Sequence, residues 1–359
     1  MKSTFEGRLK LPPYSLNKIE KQQFLLTRLR ELSLHHQQYC LPYRRILSAQ
    51  DFDPATLTNI ADLPFLPVAL FKKMTLTSVQ DDAVVKTMTS SGTSGQQVSR
   101  IYLDKQTAML QQKALANIVS DFIGPRRLPL LIIDSAAVMK DRTLFSARGA
   151  GILGFSIFGQ ERTYALDDDM SLNYDRLDAF LQKHDNKPLL LFGFTFMVWQ
   201  HFYQQLLKHP QKYDLSRATL IHGGGWKKLQ SMAVSASEFA RRLNNVCGLE
   251  RISDYYGMVE QTGAIYMQCE KKHLHASIFS DVIIRNPQDF SVCKIGEPGI
   301  IQVISTLPES YPGHSLLTED EGVLLGEDDC ACGRKGKYFS VLGRLQHAEL
   351  RGCSDTYAS

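Results

Sequence analysis

No apolar run in this chain approaches the roughly twenty residues that a membrane-crossing helix requires, so no membrane span is expected. The longest apolar stretch, Leu128 to Ile133, is interrupted by Pro129 and reads as a buried strand. The opening Met1-Lys-Ser-Thr-Phe-Glu-Gly-Arg lacks the apolar core of a signal peptide. Seven cysteines make an odd set, and nothing at the N-terminus signals export. They are therefore expected as thiols or metal ligands rather than disulfides, in the cytoplasm. Blocks of like charge are also missing. Arg126-Arg127, Lys227-Lys228 and Arg241-Arg242 are isolated pairs in a chain of net charge +4, which argues against a nucleic-acid partner. Repeats and low-complexity segments are absent as well. What remains is an ordinary globular composition: 359 residues, 43% hydrophobic and 22% charged, enough to bury a sizeable core.

The hydrophobic pattern divides the chain. Leu25, Leu26, Leu29, Leu32 and His36 recur at helical spacing, so residues 1–80 read as a helical N-terminal subregion that ends in a proline-punctuated segment at Leu63–Val68. A strand over 84–89 leads into a Ser/Gly/Thr loop. Helices are expected at 104–123, opened by Asp104, and at 171–184 and 196–207. Strands are expected at 128–134, 188–192 and 218–222. Helices and strands in alternation favour an α/β sheet with crossover helices. From about 270 the pattern turns to short β pieces, 280–285, 299–305 and 338–341, between Gly, Pro and Asp turns. Residues 81–342 are thus read as an α/β core with a β-rich end, and 343–359 as a C-terminal tail.

The segment Thr89-Ser90-Ser91-Gly92-Thr93-Ser94-Gly95-Gln96 puts hydroxyls and unobstructed backbone amides in one short loop. Such a loop can wrap phosphate oxygens; its composition equally suits a plain surface loop. It is not a P-loop, because Gln96-Gln97 stand where Lys-Ser/Thr would be needed. Ser90-Ser91-Gly92-Thr93-Ser94-Gly95 resembles the phosphate-binding signature of adenylate-forming enzymes. The proline and lysine that end that signature are replaced around Val98, Ser99 and Arg100. Asp254-Tyr255-Tyr256-Gly257-Met258-Val259-Glu260 resembles the second signature of these enzymes, in which the tyrosine packs near adenine and the glutamate helps hold Mg²⁺. Leu317-Thr318-Glu319-Asp320 resembles the ribose-binding Thr-Gly-Asp segment with Glu319 in place of glycine, and Gly343-Arg344 resembles the hinge. Gly224 and Gly225, after the strand ending at His222, would let backbone lie flat against the base.

With Leu63–Phe71, Gly193-Phe194-Thr195-Phe196, His222-Gly223-Gly224-Gly225-Trp226-Lys227-Lys228 and the ending Arg351-Gly352-Cys353-Ser354-Asp355-Thr356, the whole chain resembles the acyl-protein synthetases, the long-chain-fatty-acid–protein ligases of bacterial bioluminescence. The resemblance implies an α/β main domain without the mobile lid and its catalytic lysine. It also implies ATP and Mg²⁺ as cofactors, a fatty carboxylic acid as substrate, and an acyl reductase as protein partner. Thr93 and Glu260 would serve adenylation, and Cys353 would accept the acyl group. A thiolate is a good nucleophile toward a mixed anhydride, and Arg351 and His347 would favour that form. Lys72, Lys227 and Lys228 are candidates for the missing lysine. Two other readings stay open: an acyl- or aryl-CoA ligase-like enzyme that uses CoA or a carrier-protein thiol, and a non-catalytic scaffold. Finally, Cys269, His275 (with His273 as competitor), Cys330 and Cys332 could supply four soft ligands to a structural Zn²⁺; reduced, metal-free thiols are the alternative.

Overall fold

Asn17 opens the first long helix. Its side chain accepts the Glu20 N–H while the Glu20 carboxylate accepts the Asn17 N–H, a complete capping box. The computed structural model describes residue 5 and residues 7–90, 98–139, 147–226 and 232–345. In chain order the described elements begin with helix α1 (Lys18–Tyr39) and α2 (Leu41–Ala49). Strand β1 (Leu66–Pro67), the short α3 (Leu70–Lys73), strands β2 (Val84–Thr89) and β3 (Arg100–Asp104), and α4 (Lys105–Ile123) follow. Next come β4 (Leu128–Ser135), α5 (Ala147–Phe155), β5 (Gly159–Leu166), α6 (Tyr174–Lys183) and β6 (Leu189–Phe194). Helix α7 starts at Thr195–Met197, widens to a π turn over Val198–Tyr203 and closes at Gln204–Lys208; β7 (Ala218–Gly223), α8 (Ala236–Cys247) and β8 (Arg251–Tyr256) come after it. The remaining strands are β9 (Tyr266–Gln268), β10 (Leu274–His275), β11 (Ser280–Arg285), β12 (Pro298–Ser305), β13 (Ser315–Glu327) and β14 (Lys337–Arg344).

These elements form two compact units, each assembled from separate stretches of chain. The first comprises Met1–Pro12, Met88–Val98 and Gln112–Leu274; the second comprises Pro13–Thr87, Ser99–Gln111 and His275–Ser359. The first unit is the α/β part. Its strands lie in the order β9-β8-β7-β6-β4-β5. They are parallel from β8 to β5, and β9 runs antiparallel to β8. Every residue of β4, β6 and β7 is buried, as expected of parallel strands covered on both faces. Helix α6 buries Leu177 and Phe180, and α8 buries Phe239, Leu243 and Cys247. Helix α8 is capped by Ser235 at one end and by Gly248, at φ +72°, at the other.

The second unit is antiparallel, in the order β11-β12-β13-β14, with β1 parallel to β13. Leu25 and Leu29 of α1 pack with Leu57, Ile60, Leu63, Ile283 and Ile304. Each such leucine contributes about 2 kcal/mol of transfer free energy. A charged group also lies inside this unit. Lys21 is 3% exposed, donates to the Ala276 carbonyl at 3.0 Å and lies 3.7 Å from Asp281. Asp281 is in turn held by Lys337 at 2.8 Å.

Candidate active site

In the parallel sheet of the first unit, three neighbouring strands end at the same level. Phe194 of β6 is opposite Gly223 of β7, and Gly223 is opposite Tyr255 of β8. Ligands of open α/β sheets bind beyond the carboxyl ends of parallel strands, where chain ends free the backbone from the ladder. The two glycine- and tyrosine-bearing segments marked in the sequence are thus side by side at that edge. A Cβ on Gly223 would run into the Tyr255 ring, so this position admits no side chain. Gly224 has φ +76°, a conformation natural to glycine, and a Cβ there would lie 3.0 Å from Phe194 Cδ1. Gly225 faces open space, and both Gly224 and Gly225 are exposed. Bare backbone is therefore presented beside an aromatic wall. Phe155 stacks on Phe192 at 4.3 Å and reaches Tyr255 at 5.1 Å.

Beyond β8 the chain turns through Gly257, and Glu260 sits buried in a short 3-10 turn, Val259–Gln261. Tyr256 is half-buried and faces Tyr266 at 6.1 Å. At the end of β7, His222 is buried; its Nδ1 lies 3.0 Å from Thr195 Oγ1 and 3.6 Å from Asp254 Oδ1. Burial, reinforced by the Lys272 charge, pushes the His222 imidazole down to about 3, which keeps it neutral. Loss of water around Asp254 pushes its carboxyl up to about 7. The sequence marked His222 but gave Asp254 no role. The signal available was its place just before Tyr255-Tyr256-Gly257, at a strand end.

The other expected residues fall in different places. Ser90 is half-buried just after β2. Ser91, Gly92, Thr93, Ser94 and Gly95 lie outside the described residues, as do Lys227, Lys228, His347, Arg351 and Cys353. Asp320 and Arg344 belong to the second unit, opposite one another on β13 and β14. The Asp320 N–H donates to Thr318 Oγ1 at 3.1 Å, and Arg344 pairs with Glu319. Glu319, which stands where the resembling signature has glycine, thus has a partner of its own. Arg100 is exposed at the start of β3. Of the soft ligands, His275, Cys330 and Cys332 fall in the second unit with ligand atoms within 4.8 Å of one another. It is His275, not His273, whose Nε2 meets Cys332 Sγ, at 3.4 Å. Cys269 is buried near the end of the first unit.

A strand-end cradle of glycine and tyrosine, followed by a buried glutamate, can be set against known proteins. The profile of the family described as acyl-protein synthetase, LuxE, matches residues 9–359. The chain belongs to this family of acyl-protein synthetases. It is a ligase, as the names of its relatives also indicate. One relative, the long-chain-fatty-acid–luciferin-component ligase of Vibrio harveyi, is 25% identical over 82% of this chain and 77% of its own length. The ligase of the same name from Aliivibrio fischeri is 21% identical over 84% and 80%. Among solved structures, 2-hydroxyisobutyryl-CoA ligase in a postadenylation state superposes with a TM-score of 0.70 at 16% identity, covering 94% of this chain and 70% of the ligase. This acyl-protein synthetase therefore has the fold of the adenylate-forming ligases, as its four sequence segments implied.

Proposed function

We propose that this synthetase activates a fatty carboxylic acid with ATP to an acyl-adenylate and passes the acyl group to its own Cys353. The observation that carries this reading is the shared level of Phe194, Gly223 and Tyr255 at the carboxyl edge of the parallel sheet. That edge places bare glycine backbone against the segment that leads to Glu260. The substrate carboxylate oxygen attacks the α-phosphorus. The new P–O bond forms as the bond to the pyrophosphate oxygen breaks, giving acyl-AMP and pyrophosphate. The Cys353 thiolate then attacks the acyl carbon; a C–S bond forms and AMP leaves on its phosphate oxygen.

Gly224 and Gly225 supply a surface on which a planar base can lie, and Tyr256 supplies a ring beside it. Ser90, Ser91, Thr93 and Ser94 supply hydroxyls, with Gly92 and Gly95 amides, to the phosphates. Asp320 is the candidate for the ribose hydroxyls and Arg344 for the hinge. Glu260 is a hard oxygen ligand, buried on a tight turn, and suits Mg²⁺. When bound, that ion offsets the charge of the departing pyrophosphate. An acyl reductase that takes the thioester is the partner this chemistry calls for.

The test is ATP–pyrophosphate exchange across a panel of carboxylic acids, followed by intact mass measurement. With long-chain acids, exchange and a covalent acyl adduct are expected, and Cys353→Ser should keep exchange while losing the adduct. Glu260→Gln should lower exchange about 100-fold, as loss of one transition-state electrostatic contact does. Full thioester formation by Cys353→Ser would refute the cysteine step and leave CoA or a carrier thiol as acceptor. No ATP binding would refute the enzyme reading in favour of a scaffold.

A further inference from the structure

We propose that Arg148 grips the carboxylate of the acid substrate, and that the buried Asp134 holds it in place for that task. This role rests on the acid activation proposed above and supplies the anchor for its substrate. Both residues belong to the first unit.

The register of the parallel sheet lines the relevant groups up. Ile132 of β4 pairs with Phe192 of β6, which puts Asp134, two residues on, level with Phe194. Phe194 is opposite Gly223, and Gly223 is opposite Tyr255. Residues abreast of one another on neighbouring strands share a face of the sheet. Four adjacent strands, β4, β6, β7 and β8, thus turn one row to the same side: a carboxylate, a ring, a glycine and a second ring. Helix α5 covers that side. Its Gly151 lies so close that a Cβ there would be 2.9 Å from Phe194 Cζ and 3.6 Å from the Tyr255 hydroxyl. Phe155, one turn further, stacks on Phe192. Arg148, Gly151 and Phe155 stand at i, i+3 and i+7, on one stripe of the helix. Arg148 is in the first turn of α5, so it caps this stripe at the carboxyl edge of the sheet.

Arg148 is anchored at one end and open at the other. Its Nε forms an ion pair with Asp134 Oδ2 at 3.0 Å, and Asp134 is 1% exposed. The other carboxylate oxygen, Asp134 Oδ1, accepts the Ser135 N–H at 2.8 Å. Among the described residues, neither Nη1 nor Nη2 of Arg148 donates a hydrogen bond. Those two nitrogens are the fork that matches a carboxylate. A cation in the first turn opposes the helix dipole, so helix stability does not account for an arginine there. An anion at this point would meet both the guanidinium and the positive end of the helix. The neighbouring rings of Phe194 and Tyr255 suit a carboxylate carried on a hydrocarbon chain. Arg148 then holds one oxygen of that carboxylate and leaves the other to attack the α-phosphorus. It stays charged throughout and exchanges no proton.

The experiment compares decanoate with 1-decanol, probes of equal chain length that differ in charge. In calorimetric titration of the full chain without ATP, decanoate should bind about 10- to 100-fold more tightly, the worth of a charge-assisted contact. Arg148→Gln should abolish that preference and leave decanol binding unchanged. This variant leaves Asp134 buried without its ion pair, which destabilises. The double variant Asp134→Asn with Arg148→Gln removes both charges and should lose the preference equally. Asp134→Asn alone keeps the cation but not its aim, and should reduce the preference severalfold. Arg126→Gln, an exposed position before the amino end of β4, should behave as wild type. In pyrophosphate exchange, Arg148→Gln should raise KM for the acid about 10- to 100-fold and leave KM for ATP unchanged. Equal binding of decanoate and decanol by the wild type would overturn the proposal, as would a preference that survives in the double variant. Wild-type exchange with an unaltered acid KM in Arg148→Gln would overturn it while the activation reading stands. No exchange with any acid, alongside Arg148-dependent decanoate binding, would instead refute activation and leave the site.

Discussion

His222 in the first unit and His314 in the second are both buried, and burial pushes both imidazoles down to about 3. Their surroundings differ. His314 Nε2 lies 3.0 Å from Ser33 Oγ and 3.2 Å from Tyr43 Oη, and its ring stacks on His36 at 5.1 Å. His36 in turn meets Ser78 Oγ at 2.7 Å and the Pro308 carbonyl at 3.1 Å. That is a network of neutral groups inside the antiparallel unit. His222 instead ends a strand, with Thr195 on one side and Asp254 on the other, and the Asp254 carboxyl is poised near 7. The same burial physics serves architecture in one unit and prepares a titratable edge in the other.

The sharpest way to break this contrast is Gly223→Ala. The added methyl would enter the space of the Tyr255 ring, displacing the edge that carries the proposed nucleotide site. Pyrophosphate exchange should fall about 100-fold or more, since a displacement of about 1 Å suffices for that. Equal exchange in this variant would detach the cradle from catalysis. Next in size is Ser33→Ala, which leaves His314 without one neutral partner in a closed core and should cost about 1–3 kcal/mol in urea unfolding. Thr195→Val, the corresponding change at His222, should cost less, about 1 kcal/mol, because that histidine lies at an edge. Equal losses would erase the difference between the two histidines.

The pH dependence follows with opposite signs. His222, His36 and His314 have folded-state values below the usual 6.5. Their neutral burial therefore costs nothing above that value, and stability is lost as pH falls below 6.5, toward 3 for His222 and His314. Asp254 is shifted the other way, from 3.8 to about 7. Its charge opposes folding increasingly as pH rises from about 4 to about 7. Asp254→Asn should accordingly raise the urea midpoint more at pH 8 than at pH 5; a uniform shift would contradict the assignment. The smallest effect is expected from Gly7→Ala, an exposed position where a Cβ meets nothing within 4 Å. Its exchange rate should stay within about twofold of wild type, as surface substitutions away from special features usually do.

Much of the fold could be read from pattern alone. The strand expected at 280–285 is β11 without adjustment, and those expected at 128–134 and 218–222 each extend by one residue, to Ser135 and Gly223. Each of these segments carries a buried apolar run, Leu130–Ile133, Leu220-Ile221 and Val282–Ile284, between polar residues or proline, so burial and chain punctuation agree. The helix expected from Ser171 begins instead at Tyr174. Asn173 caps it by accepting the Arg176 N–H, while Leu172 bridges to Leu166 and donates to Gln205. That choice depended on a glutamine 33 residues away. The π turn at Val198–Tyr203 was likewise invisible, since its aromatic residues read as ordinary helix. His36 was counted in an amphipathic stripe, yet its partners are Ser78 and Pro308.

By itself the sequence determined where glycine, tyrosine, glutamate and the soft ligands stand, because those chemistries depend on residue type and short spacing. It also determined the alternation that makes the first unit parallel, since helix and strand periods are local properties. Only the tertiary structure decided that Gly223 meets Tyr255, that Asp254 is poised near 7, and that Lys21 finds Asp281 across more than 250 residues of chain. Desolvation and close packing depend on which segments meet, and the chain settles that only when it folds.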